Sequence, residues 1–273
     1  MLTMLTKSIG KLAIASTLLA GGFALQAQAA SVNPDVIFGT GNGNGSFTIN
    51  NLAGEGGNVE IGLRAKQRFP AAGIYNYDGI DTYTFQAGRA PNGNPTTSRP
   101  LWNFEWSINT DLSGQSGTKL SDLTYNLRLD SDPSAIASFG PAYDPINVLY
   151  ADHAIGDNAT GNGGGAVAPK FGGIVTAASV GIYTDLINNN NVAQNSWSMH
   201  WFSPLFDPTV AGTYRIILDA FDPNGGLFAS SGINVVVSAV PLPPSMVLFG
   251  AAIIGLGVMT RRRKQKAGKA QAA

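Results

Sequence analysis

Trp102-Asn-Phe-Glu-Trp-Ser-Ile-Asn109 sets Trp102, Phe104, Trp106 and Ile108 against Asn103, Glu105, Ser107 and Asn109. That is the period of two expected of a half-buried strand. Phe47 and Ile49 follow the same rhythm, as do Val59, Ile61 and Leu63, and then Tyr83 and Phe85. Leu123, Tyr125, Leu127 and Leu129 repeat it, as do Trp197, Met199 and Trp201, and Tyr214, Ile216 and Leu218. With Asn147–Ala154 and Ile233–Val237 these runs make roughly nine or ten strands, and no long segment has helical period. The fold expected is all-β, two packed antiparallel sheets in a β-sandwich spanning residues 46–239.

The last pair of runs gives the clearest sign of topology. Gly212–Asp222, the turn Pro223-Asn-Gly-Gly226 and Leu227–Ser238 predict a hairpin that closes a sandwich of immunoglobulin-like or jelly-roll-like kind. The chain has no cysteine, so the inter-sheet disulfide of antibody domains is absent and the core alone must hold the domain together. Two regions interrupt the β pattern. Asp152–Gly173, rich in glycine, reads as a long loop, and Ala177–Asn190 as either a strand or a short helix. No internal repeat of fixed period is present, which argues against a propeller or solenoid.

Both ends of the chain carry addressing signals. Lys7 and Lys11 precede an apolar stretch, Leu12–Leu25, that ends in Ala27-Gln-Ala29. Charge, short apolar core and an Ala-x-Ala site predict a helical secretory signal peptide over residues 1–29, cut after Ala29. Residues 30–45, with Gly39-Thr-Gly-Asn-Gly-Asn-Gly45, read as a flexible entry. At the other end, Leu242–Thr260 is 19 residues without a charge. A helix of that length spans roughly 28 Å, close to a bilayer's hydrocarbon core, which predicts a C-terminal transmembrane helix. Arg261, Arg262, Arg263 and Lys264 would hold its far side, and the tail 265–273, in the cytoplasm, leaving everything upstream outside. Pro241, Pro243 and Pro244 keep the entry extended and open to an enzyme. An ordinary membrane anchor is the alternative.

Val240-Pro241-Leu242-Pro243, the short glycine-containing apolar span and the arginine cluster together resemble the PEP-CTERM sorting signal of Gram-negative bacteria, in its Val-Pro-Leu-Pro variant. The resemblance covers residues 240–264. It implies Sec export, a transient anchor in the inner membrane and processing by an exosortase. It also implies release to the cell surface or extracellular matrix in an exopolysaccharide or biofilm setting. The Trp-Asn-Phe-Glu-Trp-Ser-Ile and Gly-Thr-Tyr-Arg stretches are similar to secreted domains that often precede such tails.

The exported part carries nine basic residues against all 17 acidic ones, a net charge of −8 that the targeting segments conceal. An acidic domain repels phosphate backbones, so nucleic acid is not an expected partner. His153 and His200 are the only histidines and fall in no metal-ligand spacing; His200 reads as a surface residue. No nucleophile elbow or phosphate loop is present, and no catalytic or metal residue is assigned. Asp130/Asp132, Asp152–Asn158 and Asp219/Asp222/Asn224 offer oxygen ligands that suit Ca²⁺, although Asp222-Pro-Asn-Gly225 is first of all a turn sequence. Glu55, Glu60 and Glu105 are the only glutamates, few for a glycosidase pair. Trp102, Trp106, Trp197 and Trp201 suit either sugar stacking or a core. The expectation is a non-enzymatic structural or adhesive surface protein. A carbohydrate-binding module is the alternative, with a secreted hydrolase behind it.

Overall fold

The alternating run becomes β4 (Trp102–Asn109), held between β2 (Glu60–Gln67) and β8 (Val192–Trp197) in a six-stranded sheet. A computed structural model describes residues 43–52, 57–91, 99–150, 153–161, 166–167, 176–240, 248–249 and 252–258. Ala27, Ala29, Pro241, Pro243, Arg261, Arg262 and Arg263 lie outside them, as do the segment expected to be a signal peptide and most of the tail. In the tail, residues 252–258 are helical and exposed. Among the described residues no helix is long and apolar enough to cross a membrane.

The six-stranded sheet is completed by β1 (Thr48–Ile49), β6 (Ala154–Gly156) and β7 (Ala166–Val167), in the order β1-β2-β4-β8-β6-β7. Facing it is a four-stranded sheet of β3 (Thr82–Gln86), β10 (Leu227–Ser238), β9 (Gly212–Phe221) and β5 (Thr124–Leu129). Leu63, Trp106 and Ile108 of the first sheet and Leu127, Leu218 and Val235 of the second belong to one buried cluster between the layers. The fold is therefore mostly β, in two sheets.

The registers define two ends. At one, Gln67 faces Trp102, and Phe85 and Gly212 both face Val237. The Trp102 ring ties the layers together there, packing on Phe85, Phe206 and Tyr214. Thr48 pairs with Leu63 and Ile49 with Gly62, so the chain joins β2 at its middle, running from the Gln67 side; it leaves after Ser238, at the Gln67 end. At the far end Glu60, Asn109, Val192 and Gly156 come together. Residues 50–52 also join the sheets, since the Asn51 amide bonds both the N–H and the carbonyl of Gly232 and the Leu52 N–H donates to the Ser230 carbonyl. Leu52 lies so close that a Cβ on Gly232 would sit 2.5 Å from its methyl.

The hairpin forms where the sequence puts it. Asp222 closes its turn by accepting from the Asn224 and Gly226 N–H groups, and Gly225 takes a φ of +85°, a conformation that favours glycine. Four expectations need correction. The sheets are not wholly antiparallel, because β3 runs parallel to β10 with Val235 opposite Tyr83. No turn joins these two strands, so none imposes an antiparallel pairing. β4 is buried on both faces rather than half-buried. The run Trp197–Trp201 leaves the sheet at Trp197 and turns through a 3₁₀ segment, Met199–Trp201, which buries Met199 and exposes Trp201. Over so few residues that turn and a strand give the same alternation. Asn147–Ala154 likewise holds a 3₁₀ turn, Val148–Tyr150, with β6 starting only at Ala154. Between strand and helix, Ala177–Asn189 is the helix α1, started by Thr176, whose hydroxyl accepts from the Ser179 N–H while the Ser179 hydroxyl accepts from the Thr176 N–H.

Candidate functional site

On the outer face of the larger sheet, Arg64 stands opposite Glu105 across the β2/β4 pair, and Lys66 stands opposite Asn103. The Arg64 Nε and the Lys66 Nζ both donate to the Glu105 carboxylate, and all three side chains are buried. The Arg64 guanidinium also lies over the rings of Phe47, at 4.2 Å, and Tyr75, at 4.7 Å, and Nη1 donates to the Gly45 carbonyl at 2.6 Å. The single carboxylate thus serves two cations, and the arginine fastens the entering chain to the sheet. Glu105 has cations for neighbours where a glycosidase would require a second acid across a cleft. Period two places Glu105 correctly on the face away from the tryptophans but gives no warning that this face is covered.

A second group of titratable side chains lies between α1 and the sheet. His153 is fully buried, with Nε2 3.0 Å from the Tyr183 hydroxyl and Nδ1 3.3 Å from the Asn195 amide nitrogen, and it rests against Trp106 and Trp197. The Asn195 oxygen already accepts from the Ser196 N–H, so its nitrogen is the donor to Nδ1 and the ring proton sits on Nε2. This is a neutral core imidazole. Burial pushes its pKa down to about 3.

Asp144 accepts from the Ile146 N–H, and its charge acts on Tyr125, Tyr150 and Tyr183. Desolvation outweighs that hydrogen bond and raises the carboxyl to about 6. A carboxyl raised on folding stabilises the fold below its unfolded value near 3.8, and that contribution is lost as the pH climbs through 6. Asp144→Asn keeps the turn hydrogen bond and has no charge to bury. The variant should therefore be more stable than the parent at pH 7.5, by about 2 kcal/mol, and indistinguishable from it near pH 4. Urea unfolding at the two pH values measures this, and equal gains at both would refute it.

The remaining candidates are turn and core chemistry. Ser198 Oγ is 2.7 Å from His200 Nδ1, yet burial and then the Arg99 charge hold that imidazole below its ordinary value, the reverse of what the acid of a triad does. Asp130 accepts from the Asp132 N–H, Asp157 from the Ala159 N–H and the Thr160 hydroxyl, and Asp219 from Arg128 and Ser230. Among the described residues no three His, Cys, Asp or Glu side chains group as a metal site requires. Burial works to raise the Asp111 carboxyl, but hydrogen bonds from Asn58, Gly117 and Ser116 outweigh it and hold the group far below the usual carboxylate range. Asp111 organises a loop that sequence reasoning did not single out.

Trp102, Trp106 and Trp197 are core residues, which leaves Trp201, 56% exposed, as the one tryptophan able to meet a ligand. Near it, at the end where the chain leaves, Leu129, Tyr143, Phe202 and Leu205 line a groove of about 350 Å³. Val240, the described member of the motif expected to act as a sorting signal, is exposed at this same end, two residues past the last strand. The arrangement can deliver a tail to solvent and present an apolar rim beside it. No protein-family model, no curated protein and no solved structure matches the chain.

Proposed function

We propose that this chain is an exported surface protein without enzymatic activity. Its sandwich is held at the inner membrane by the tail, cut near Val240–Pro244 by an exosortase, and then serves as a structural or adhesive component of an exopolysaccharide matrix. The supporting observation joins sequence to fold. The described buried hydrophobic residues run from Phe47 to Val237, β10 ends at Ser238, and the motif starts at an exposed Val240. Cleavage beyond Val240 would take no described core residue with it. The clusters that carry charge or a proton-transfer group, around Glu105 and His153, are sealed in the protein, where they fasten strands.

Mass spectrometry of the protein secreted by an exosortase-bearing host tests this. The expected mature form begins after Ala29 and ends between Val240 and Pro244, and deleting residues 240–264 should abolish surface retention. Recovery of an uncut chain from the surface, or of a cytosolic precursor alone, would overturn the proposal.

A further inference from the structure

Leu242, where the span expected to enter the membrane begins, is four residues beyond Ser238, the last of β10. An extended chain covers at most about 14 Å in four residues. If the tail is embedded, the end of the sandwich from which it leaves is confined close to the headgroups of that bilayer. This step rests on the reading of the tail as an anchor, and the surface of that end suits the location.

Trp201, Leu205, Val210, Ile136 and Val240 are all exposed there, Leu205 by 89%. Their placement follows from the pairing. Trp201 and Leu205 come just after β8, which ends at the start of β4; Val210 precedes Gly212, the partner of Val237; Ile136 belongs to the loop whose Pro133 carbonyl accepts from Thr213. A tryptophan among aliphatic side chains at one end of a domain is the composition of a membrane-interface belt.

Charge is divided in the same sense. Among the described residues, Arg68, Arg89, Arg99 and Arg215 stand at this end against Asp78, Asp81, Asp130, Asp132 and Asp207, a balance of −1. The far end has Lys119 against Glu60, Asp111, Asp122, Asp157 and Asp222, a balance of −4. A domain that is acidic as a whole is thus turned, by this gradient, with its arginines toward an anionic surface.

We infer that the exit end, with Trp201, Leu205 and Val210 at its rim and Arg68, Arg89 and Arg99 around them, is a docking surface for anionic phospholipid headgroups, on which the sandwich stands upright while its own tail is inserted. The scissile region then lies within the headgroup layer, and the acidic far end points outward.

The chain's lack of cysteine makes the test direct. Single cysteines are introduced into the full chain by Leu205→Cys, Asn224→Cys in the far-end turn and Ile253→Cys in the tail, each at an exposed position. Each is labelled with a fluorophore in nanodiscs of phosphatidylglycerol and phosphatidylcholine that contain headgroup-spin-labelled lipid. Quenching at residue 205 should exceed that at residue 224 at least threefold, and should fall by half or more in phosphatidylcholine alone while quenching at residue 253 holds. Equal quenching at 205 and 224, with 253 still quenched, would overturn the docking surface and leave the anchor standing. Absence of quenching at 253 would remove the anchor and this inference with it. Strong quenching at 205 that ignores lipid charge would refute the role given to the arginines.

Discussion

Glu105→Ala should cost about 3–5 kcal/mol of unfolding free energy, because it leaves Arg64 and Lys66 buried without their shared carboxylate. In a domain of this size that lowers the midpoint of thermal denaturation by on the order of 10 °C. The carboxylate cannot be replaced by water at no cost, since the Arg64 guanidinium is enclosed by Phe47 and Tyr75 and its Nη2 already has no hydrogen-bond partner among the described residues. The loss should also be insensitive to salt, as buried pairs are screened far less than surface ones. The triple replacement Arg64→Met, Lys66→Met, Glu105→Leu, which removes charge and counter-charge together, should recover most of it. Urea denaturation with an unchanged m-value reads both effects. A loss under 1 kcal/mol for Glu105→Ala would mean that water reaches the cluster in the folded state.

That cluster also marks the limit of what the sequence discloses. Period two sorts residues onto two faces, and for β9 and β10 this was enough, because the faces differ in polarity and Asp222-Pro-Asn-Gly225 fixes the turn between them. In β4 the rule still placed Glu105 opposite the tryptophans. It could not show that Arg64 and Lys66 meet it there, since a cross-strand partner some forty residues earlier leaves no local trace. The parallel β3/β10 pair was hidden for the same reason. The helix α1 was ambiguous because Val180 and Ile182 stay exposed while Tyr183 and Ser179 are buried, so its apolar residues do not gather on one stripe. Its Thr176/Ser179 start was nevertheless present in the sequence. The exit end was legible only in part. Its arginines and Trp201 are scattered through the chain, and the strand register is what gathers them beside Val240.

Burial of His153 should make the fold sensitive to acid. The imidazole is neutral in the fold with a pKa pushed down to about 3 by burial, against 6.5 for an exposed histidine. Between those values the unfolded chain binds a proton that the folded one does not, so stability is fully present above pH 6.5 and falls as the pH drops toward 3. The full difference is about 4–5 kcal/mol. Geometry gives the same sign, because a proton on Nδ1 would confront the Asn195 amide, which donates there, in a site walled by Trp106 and Trp197. Asp144 opposes this between pH 4 and 6, since its raised pKa favours the fold in acid, so the parent's stability should change little across that interval and more steeply outside it. In the Asp144→Asn background the histidine acts without that opposition, and a smooth decline from pH 6.5 downward should appear. His153→Gln in the same background should flatten the profile between pH 3.5 and 6.5, even if the variant begins less stable at neutral pH. Denaturant midpoints at half-unit steps of pH separate the two, and an undiminished slope in the glutamine variant would show that another group carries the acid sensitivity.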